Sequence, residues 1–285
     1  MTSVGELLDE LAQVLAGEGV PPDRGGARDL IAAVLEKPRF WPTGHRELTL
    51  SDAQLRTAMG AAAEIRSGVP FAYAVGTAAF RHLTLRVDPR VLIPRPETEV
   101  LVDLVLGATG GRGIVADIGT GSGAIALALA AEGVFERVFA TDISADALDV
   151  ARGNLTVIPE EKRAIVEFRH GDLTAPLAGL QLTAVVSNPP YIAKTERDAL
   201  PAGVREHEPA SALFGGDDGM TVIDRLVVDA AEIVAPGGVL LMEIDSRRAQ
   251  LARTRAETHG RWSDVEIRPD LTGRERFLVA RRSTR

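Results

Sequence analysis

Residues 187–192 join an amide side chain, two prolines and a tyrosine directly after an apolar run. Asn188, Pro189, Pro190 and Tyr191 follow a predicted strand at 182–187. Because proline has no backbone N–H, this turn offers mainly carbonyl oxygens and the Asn188 side-chain oxygen, all of which are acceptors. Two such acceptors suit a planar –NH2 group, and the Tyr191 ring could stack on its flat face. The segment therefore indicates chemistry at an amide or amino nitrogen.

An amide nitrogen is a very poor nucleophile. We therefore expect catalysis to come from orientation, and from acceptors that stabilise positive charge as it develops on the nitrogen. No strong base is required beforehand, since the proton can leave afterwards to water. Taken alone, the four residues are equally consistent with an ordinary Pro-rich turn after a strand.

A glycine-rich turn follows an earlier apolar strand at 113–118. The turn consists of Gly119, Thr120, Gly121, Ser122 and Gly123. Glycines allow a tight turn and let a ligand approach the N–H groups at a helix N-terminus. The spacing departs from the dinucleotide fingerprint, whose third glycine falls at Ala124, and the chain has no Gly-Lys pair of a phosphate-binding loop. A tight strand–helix turn without a ligand is the alternative.

Acidic residues occur where three of the predicted strands end. Asp142 ends the strand at 137–142, where an acid can bind ribose hydroxyls. Asp172 and Leu173 follow the strand at 165–170, where a carboxylate and an apolar side chain could contact the edge and the face of an adenine. Asp117 is expected to orient the glycine-rich turn or to contact an amino-acid moiety. The carboxyl ends of parallel strands form the ligand-binding edge of α/β sheets. Each acid taken alone is also consistent with a helix N-cap.

Strand and helix signals alternate from residue 113 onward, which indicates βαβ units and a parallel sheet. The predicted fold class is α/β: a small all-helical N-terminal domain, then a Rossmann-like, doubly wound, seven-stranded and mostly parallel sheet. The strands are predicted at 113–118, 137–142, 165–170, 182–187, 238–244, 264–268 and 275–281, the last two as an antiparallel hairpin. Helices are predicted at 3–16, 23–36, 51–67, 97–107, 123–132, 144–155, 219–234 and 246–259. The predicted domains are 1–73 (helical), 74–96 (hairpin and loop linker) and 97–285 (α/β).

The composition excludes several classes of function. The chain has 285 residues, a formal charge of −8 and no cysteine, so disulfides, thiolate catalysis and Cys-ligated metals are ruled out. The five histidines are scattered, and we expect no metal. A net negative charge argues against a nucleic-acid substrate. No apolar run reaches the length of a membrane span, so we expect a cytoplasmic protein without membrane contact, and we expect it to be a monomer.

The glycine-rich turn followed by strand-end acids resembles class I S-adenosylmethionine-dependent methyltransferases. Asn188–Tyr191 resembles the catalytic motif of amino-methyltransferases that act on glutamine, adenine or cytosine nitrogen. The run from Pro94 to Glu99 (Pro-Arg-Pro-Glu-Thr-Glu), with the helical N-terminal domain, resembles the protein-(glutamine-N5) methyltransferases that modify the Gly-Gly-Gln glutamine of peptide-chain release factors. The similarity extends to Glu208-Pro209 and to the loop at 215–219.

This resemblance implies S-adenosylmethionine as cofactor and a release factor as protein substrate, which the helical domain would help to dock. Asn188, the Pro189 carbonyl and Tyr191 would be catalytic, and Pro190 would join them in binding the substrate glutamine. Arg95 and Glu97 would lie at the entrance of the cofactor pocket, and the loop at 215–219 would form a helix-start turn or close over the substrate. The expected cofactor-binding residues are Asp117, Gly119, Thr120, Gly121, Ser122, Gly123, Asp142, Asp172, Leu173 and Asn188.

Three alternatives remain open at the level of the sequence. The nearest is methylation of a ribosomal-protein glutamine, since related enzymes share most of these motifs. An adenine-N6 nucleic-acid methyltransferase would use the same tetrapeptide, but the negative charge disfavours it. A non-catalytic binding module on the nucleotide-binding fold is the third alternative.

Overall fold

The computed structural model describes residues 2–16 and 20–284. The strands are β1 Thr77–Phe80, β2 Leu83–Arg86, β3 Ile114–Ile118, β4 Arg137–Asp142, β5 Val166–His170, β6 Leu182–Ser187, β7 Val234–Glu243, β8 Trp262–Pro269 and β9 Glu275–Arg282. The helices are α1 Val4–Ala16, α2 Arg24–Val34, α3 Trp41–Gly44, α4 Asp52–Arg66, α5 Phe71–Val75, α6 Glu99–Thr109, α7 Ala124–Glu132, α8 Ala145–Asn154, α9 Glu160–Arg163, α10 Ala202–His207, α11 Ala210–Leu213, α12 Thr221–Ile233 and α13 Ala249–His259. Single turns of 3-10 helix occur at Pro96–Thr98, Leu155–Val157 and Ala175–Leu177, and a longer one at Lys194–Ala199.

The described residues form two compact units. The first comprises the chain up to Thr77 together with Pro201–His207, and the second comprises Ala78–Leu200 together with the chain from Glu208 onward. The division of the chain at residues 73 and 96 stays a prediction.

The helical unit is built from amphipathic helices that bury their apolar faces against one another. Leu7 and Leu11 of α1 and Leu30 and Ile31 of α2 are fully buried or nearly so, because they recur at helical spacing on the inner faces. Helix α4 begins with a capping box, in which the Ser51 hydroxyl accepts from the Gln54 N–H at 3.3 Å and the Gln54 side chain accepts from the Ser51 N–H at 2.9 Å.

The second unit is organised around a seven-stranded sheet. The strand order is β5-β4-β3-β6-β7-β9-β8, and the strands from β5 to β7 are parallel while β9 and β8 are antiparallel additions at one edge. This confirms the predicted Rossmann-like, mostly parallel sheet and its antiparallel terminal hairpin. Since β3 lies between β4 and β6, the chain reverses direction of travel across the sheet at β3, and ligands of such sheets bind at this point.

Helices cover both faces of the sheet. Helices α6 and α7 cover one face, where Leu101, Val105 and Leu127 are fully buried. Helices α12 and α13 cover the other face, where Leu226 and Ala252 are fully buried. Because both faces are covered, the inner strands are nearly continuous apolar runs, such as 184–186.

The observed elements differ from the predicted ones mainly where periodicity is weak. Strand β7 begins at Val234, earlier than predicted, because an irregularity lets Leu182 pair with Val234 and Ala184 with Val239. The short helices α3, α5, α10 and α11 have too few residues to show a helical period. Within the described residues, no helix is long and apolar enough to cross a bilayer.

Candidate active site

The carboxyl ends of β3, β4 and β6 open onto a cavity of about 320 Å³. The expected site residues that line it are Gly119, Thr120, Gly121, Ser122, Asp142, Asp172, Leu173, Asn188 and Pro190. Asp117, Gly123, Pro189 and Tyr191 are not part of its wall. The fold therefore brings together most of the expected residues at one edge of the sheet, and the other four lie outside the cavity wall.

Two glycines of the turn border the open cavity, and the third has a packing role. Gly119, Gly121 and Gly123 have φ values of 72°, 54° and 85°, a region that side-chain-bearing residues rarely adopt. A β-carbon at Gly119 or Gly121 would meet no heavy atom of the described residues within 4 Å. At Gly123 it would lie 3.1 Å from Leu127 Cδ1 and 3.3 Å from Ala151 Cβ, so this glycine allows α7 to approach α8.

Asp117 holds the turn from behind. Its Oδ2 accepts hydrogen bonds from the Thr120 hydroxyl at 2.7 Å and from the Ala126 N–H at 3.2 Å. The side chain is fully buried, and its Oδ1 has no hydrogen-bond partner among the described residues. Burial raises the pKa of this carboxyl to about 7, against the opposing effect of the two hydrogen bonds. Asp117 thus orients the turn and keeps one oxygen unpaired.

Asp142 joins the glycine-rich turn to the helix after β4. Its Oδ2 accepts from the Gly121 N–H and its Oδ1 from the Ser144 N–H, each at 2.9 Å. The N-cap of α8 is Ser144, whose hydroxyl accepts from the Ala147 N–H, so the helix-capping alternative does not apply to Asp142. Burial raises the pKa of Asp142, and these backbone donors oppose the effect. The carboxylate therefore lies fixed in the cavity wall.

Asp172 and Leu173 lie at the far end of the cavity, after β5. The Asp172 carboxylate is half-exposed and forms an ion pair with Arg225 Nη2 at 2.7 Å. Leu173 has a φ of 46°, and its carbonyl accepts from the Thr141 hydroxyl at 3.3 Å. Arg225, in α12, was not identified from the sequence, because nothing in a helical arginine signals a partner more than fifty residues away.

Asn188 lines the cavity and has unpaired acceptor atoms. Its Nδ2 donates to the Thr98 hydroxyl at 3.0 Å. Its Oδ1 accepts no hydrogen bond from any described residue, and the same holds for the main-chain carbonyls of Asn188 and Pro189. Ser187 fixes the end of β6, because its hydroxyl donates to the Ile118 carbonyl at 2.7 Å. Asn188 thus stands half-buried in the wall with its oxygen available.

Tyr191 is anchored by its hydroxyl. The O–H donates to Glu243 Oε1 at 3.1 Å, and the ring lies among apolar residues that cover one face of the sheet. Burial raises the pKa of Tyr191, and the negative charge of Glu243 raises it further. The phenol therefore stays protonated and continues to donate. The stacking of its ring on a substrate stays a prediction.

Two residues that the sequence analysis did not single out complete this cluster. Thr98 ends the turn Pro96–Thr98, and its hydroxyl donates to Glu243 Oε2 at 2.6 Å. Glu243 ends β7, is 1% exposed, and has a pKa raised by burial, an effect that the hydrogen bonds from Thr98 and Tyr191 oppose. The signal for Glu243 was the one used for Asp142: an acid at the carboxyl end of a parallel strand.

Loops after Tyr191 are held to one another by main-chain hydrogen bonds. Ile192 N–H donates to the Leu213 carbonyl at 3.0 Å, and Gly215 N–H donates back to the Ile192 carbonyl at 3.0 Å. A β-carbon at Gly215 would lie 2.2 Å from the Pro190 carbonyl oxygen, so only glycine allows this approach. Nearby, Arg95 lines the cavity and forms an ion pair with the buried Glu208.

Comparison with known proteins gives matches over nearly the whole chain. Residues 96–202 match the family model described as "Methyltransferase small domain", and residues 6–76 match "PrmC N-terminal domain". A release factor glutamine methyltransferase of Moorella thermoacetica is 40% identical over 97% of this chain and 98% of that protein. A protein of the same name from Deinococcus radiodurans is 39% identical, covering 98% of each chain.

Solved structures support the fold. A methyltransferase from Pyrococcus furiosus aligns with a TM-score of 0.53 at 19% identity, covering 82% of this chain and all of that one. The hMettl16 catalytic domain, solved with the MAT2A 3′UTR hairpin 6, aligns with a TM-score of 0.58 at 13% identity, covering 90% of this chain and 92% of that one. At these identities the likeness shows a shared methyltransferase fold.

Proposed function

Because this chain belongs to the family of release factor glutamine methyltransferases, we propose that it methylates the side-chain N5 of the glutamine in the Gly-Gly-Gln motif of a peptide-chain release factor, and so modulates translation termination. S-adenosylmethionine is the methyl donor in this proposal. The observation that carries it is the unpaired side-chain oxygen of Asn188, in the wall of a cavity that the glycine-rich turn and Asp142 also line.

The cavity fits S-adenosylmethionine in its size and its polar groups. Open space at the β-carbon positions of Gly119 and Gly121 leaves room for a ligand against the main chain, and Asp142 offers a fixed acceptor for ribose hydroxyls. Asp172 and Leu173 would receive the adenine. When bound, the cofactor supplies a methyl carbon attached to a positively charged sulfur.

Asn188 and Pro189 would hold the substrate amide by its two N–H groups. With both hydrogens held by oxygen acceptors, the nitrogen turns its lone pair out of the amide plane and toward the cavity. The same two oxygens would stabilise the positive charge that develops as the nitrogen forms its new bond to the methyl carbon, whose bond to sulfur would break and leave its electron pair on sulfur. The nitrogen then loses one proton to water. Glu243 is engaged by Thr98 and Tyr191, so it is not a free carboxylate that could act as a base here.

The test is to incubate the purified protein with methyl-labelled S-adenosylmethionine and a release factor, and to locate the label by peptide mass spectrometry. We expect the label on the Gly-Gly-Gln glutamine, and none on a release factor in which that glutamine is replaced by glutamate. Label on a ribosomal protein or on adenine in nucleic acid, with none on the release factor, would refute the proposal.

Asn188→Ala supplies the matched variant. Loss of one acceptor that acts on developing charge predicts a fall in kcat of about 100-fold or more. Gln181→Ala removes an exposed amide side chain outside the cavity and should leave kcat unchanged. Equal activity of the two variants would mean that the Asn188 side chain does not hold the substrate.

A further inference from the structure

Glu243 is a buried acid, and each of its two carboxylate oxygens accepts a hydrogen bond. Hydroxyl groups of Thr98 and Tyr191 donate to its two oxygens, at 2.6 and 3.1 Å. The positive charge of Arg276 also acts on Glu243, and Arg276 Nε lies 3.5 Å from Asp270 Oδ2. Burying a carboxylate is costly unless donors satisfy it, so the two hydroxyls are held firmly in the donating direction.

The direction of the Thr98 hydroxyl decides the direction of Asn188. A threonine hydroxyl has a single proton, and its hydrogen bond to Glu243 Oε2 uses that proton. Toward Asn188, the Thr98 oxygen can therefore only accept. Of the two ends of the Asn188 amide, which have nearly the same shape, only the –NH2 end can face an acceptor, and this is the arrangement found, with Nδ2 at 3.0 Å from Thr98 Oγ1.

We propose that Thr98 and Glu243 are positioning residues that fix the polarity of Asn188, so that its oxygen and not its –NH2 group faces the substrate. The proposal rests on the proposed function, in which the substrate group is itself –NH2. If the Asn188 amide were rotated by 180°, its –NH2 group would face the –NH2 group of the substrate, and neither could accept a hydrogen bond. The hydrogen bond to Thr98 would also be lost. Glu243, on β7, thus makes the site prefer a substrate –NH2 group, although Glu243 does not contact the substrate.

The arrangement also gives a role to the Pro-Arg-Pro-Glu-Thr-Glu run. The turn Pro96–Thr98 carries Thr98 to the end of β7, and Thr98 is 4% exposed. Substrate selection would then depend on a chain of three polar side chains that begins on β7, passes through the turn before α6 and ends after β6. An acceptor-only site favours an amide or an exocyclic amine over a carboxylate, which has no proton to donate.

The experiment compares Thr98→Val with Thr98→Ser at saturating cofactor. Valine matches the shape of threonine but has no hydroxyl, whereas serine keeps it. We expect Thr98→Val to lower kcat by about 10- to 100-fold, with KM for the release factor within about threefold of wild type. Thr98→Ser should stay within about fivefold of wild-type kcat. Equal kcat for the two variants would overturn the proposal.

The pH profile is a second readout, one that a merely structural role of Thr98 would not change. As pH falls, Glu243 takes up a proton and can then donate a hydrogen bond to Thr98. The Thr98 hydroxyl is then free to donate to Asn188, so the orientation of the Asn188 amide is no longer fixed. The charged or titratable groups that act on Glu243 are Tyr191, Arg276 and Glu97. We expect wild-type kcat to fall more steeply at acid pH than the kcat of Thr98→Val, in which only a fall caused by other carboxyl groups such as Asp117 remains. An equally steep fall in this variant would overturn the proposal.

Failure of the proposed function would be recognised separately. If wild-type protein labels another –NH2 substrate and no release factor, the function is wrong, and the ratio of Thr98→Ser to Thr98→Val on the labelled substrate still decides whether Thr98 positions Asn188.

Discussion

Asp117 is a carboxyl group that forms no ion pair with any described residue. It is fully buried, and its pKa is raised to about 7 from an ordinary 3.8. Between these two values the folded chain binds a proton that the unfolded chain releases. Its contribution to stability is therefore complete below about pH 4 and is lost as pH rises through about 7.

The first prediction concerns this titration in the cofactor-free protein. From pH 5 to pH 8, we expect the Asp117 carboxyl to lower the free energy of unfolding of the wild type by about 2–3 kcal/mol. Asp117→Asn cannot ionise, so the fall should be smaller in this variant by that amount. Urea unfolding at both pH values measures the difference. If the free energy of unfolding changed equally with pH in the two proteins, Asp117 would be ionised in both the folded and the unfolded wild type.

The second prediction separates the two roles of a glycine at positive φ. Gly121→Ala places a methyl group in the cavity, whereas Gly110→Ala, at a similar φ after α6, places one in open space elsewhere. Both should lower the free energy of unfolding by about 1–2 kcal/mol, because a side chain disfavours this backbone region. Only Gly121→Ala should weaken the binding of S-adenosylmethionine, with a Kd raised by about tenfold or more in calorimetry. Equal affinities would place the cofactor elsewhere.

At this scale the sequence predicts residue types near a strand end but not their partners. Gly119, Asp142 and Asn188 were identified because each directly follows or ends a predicted strand, and all three line the cavity. Thr98 and Glu243 were missed as a pair, because they are 145 positions apart in the chain and meet only when β7 has joined the sheet. Nothing local to either residue specifies the other.

At the scale of elements, Arg248 joins two loops near the cavity to the start of α13. Its Nε donates to the Asp218 carbonyl at 2.7 Å, and its Nη2 donates to Glu196 Oε2 at 2.8 Å. Its side chain is 10% exposed, while that of the adjacent Arg247 is 62% exposed. Neighbours in the sequence thus differ sharply in burial, which makes them a matched pair.

The third prediction uses this pair. Arg248→Met leaves Glu196 and the Asp218 carbonyl short of a donor in a partly dry environment, so we expect a loss of about 2–3 kcal/mol in the free energy of unfolding. Arg247→Met should cost less than about 1 kcal/mol, because the Arg247 side chain is 62% exposed and solvent screens its ion pairs. Hydrogen exchange should become faster at 193–200 and 214–219 in Arg248→Met alone. Equal protection in both variants would count against the inferred link.

Elements with strong periodicity were predicted closely, and those without were not. The predicted strand 182–187 matches β6, and the predicted helix 123–132 matches α7 within one residue. The sequence predicts no helix or strand from 192 to 218, although this connection contains α10, α11 and the turn Lys194–Ala199. These pieces are held by tertiary hydrogen bonds such as Ile192 to Leu213, which leave no periodic trace in the sequence.

At the scale of the whole molecule, the net charge of −8 bears on which substrates the protein can approach. A polyanion is repelled by such a chain unless it carries a basic face. The fourth prediction is therefore weak binding to RNA or DNA, with a Kd above about 100 μM at 150 mM salt and little change with salt concentration. Fluorescence anisotropy with labelled oligonucleotides measures it. Tight binding with a steep salt dependence would favour a nucleic-acid substrate.

The grouping of Pro201–His207 with the N-terminal helices means that the polypeptide crosses between the two units three times. A β-carbon at Gly203 would lie 3.5 Å from the Gly68 carbonyl oxygen, so α10 fits closely against this part of its own unit. A fragment ending at Thr77 would lack that helix, and a fragment beginning at Ala78 would carry it with a face left bare. A truncated, chimeric or circularly permuted form of this protein must therefore keep the N-terminal helices and Pro201–His207 together.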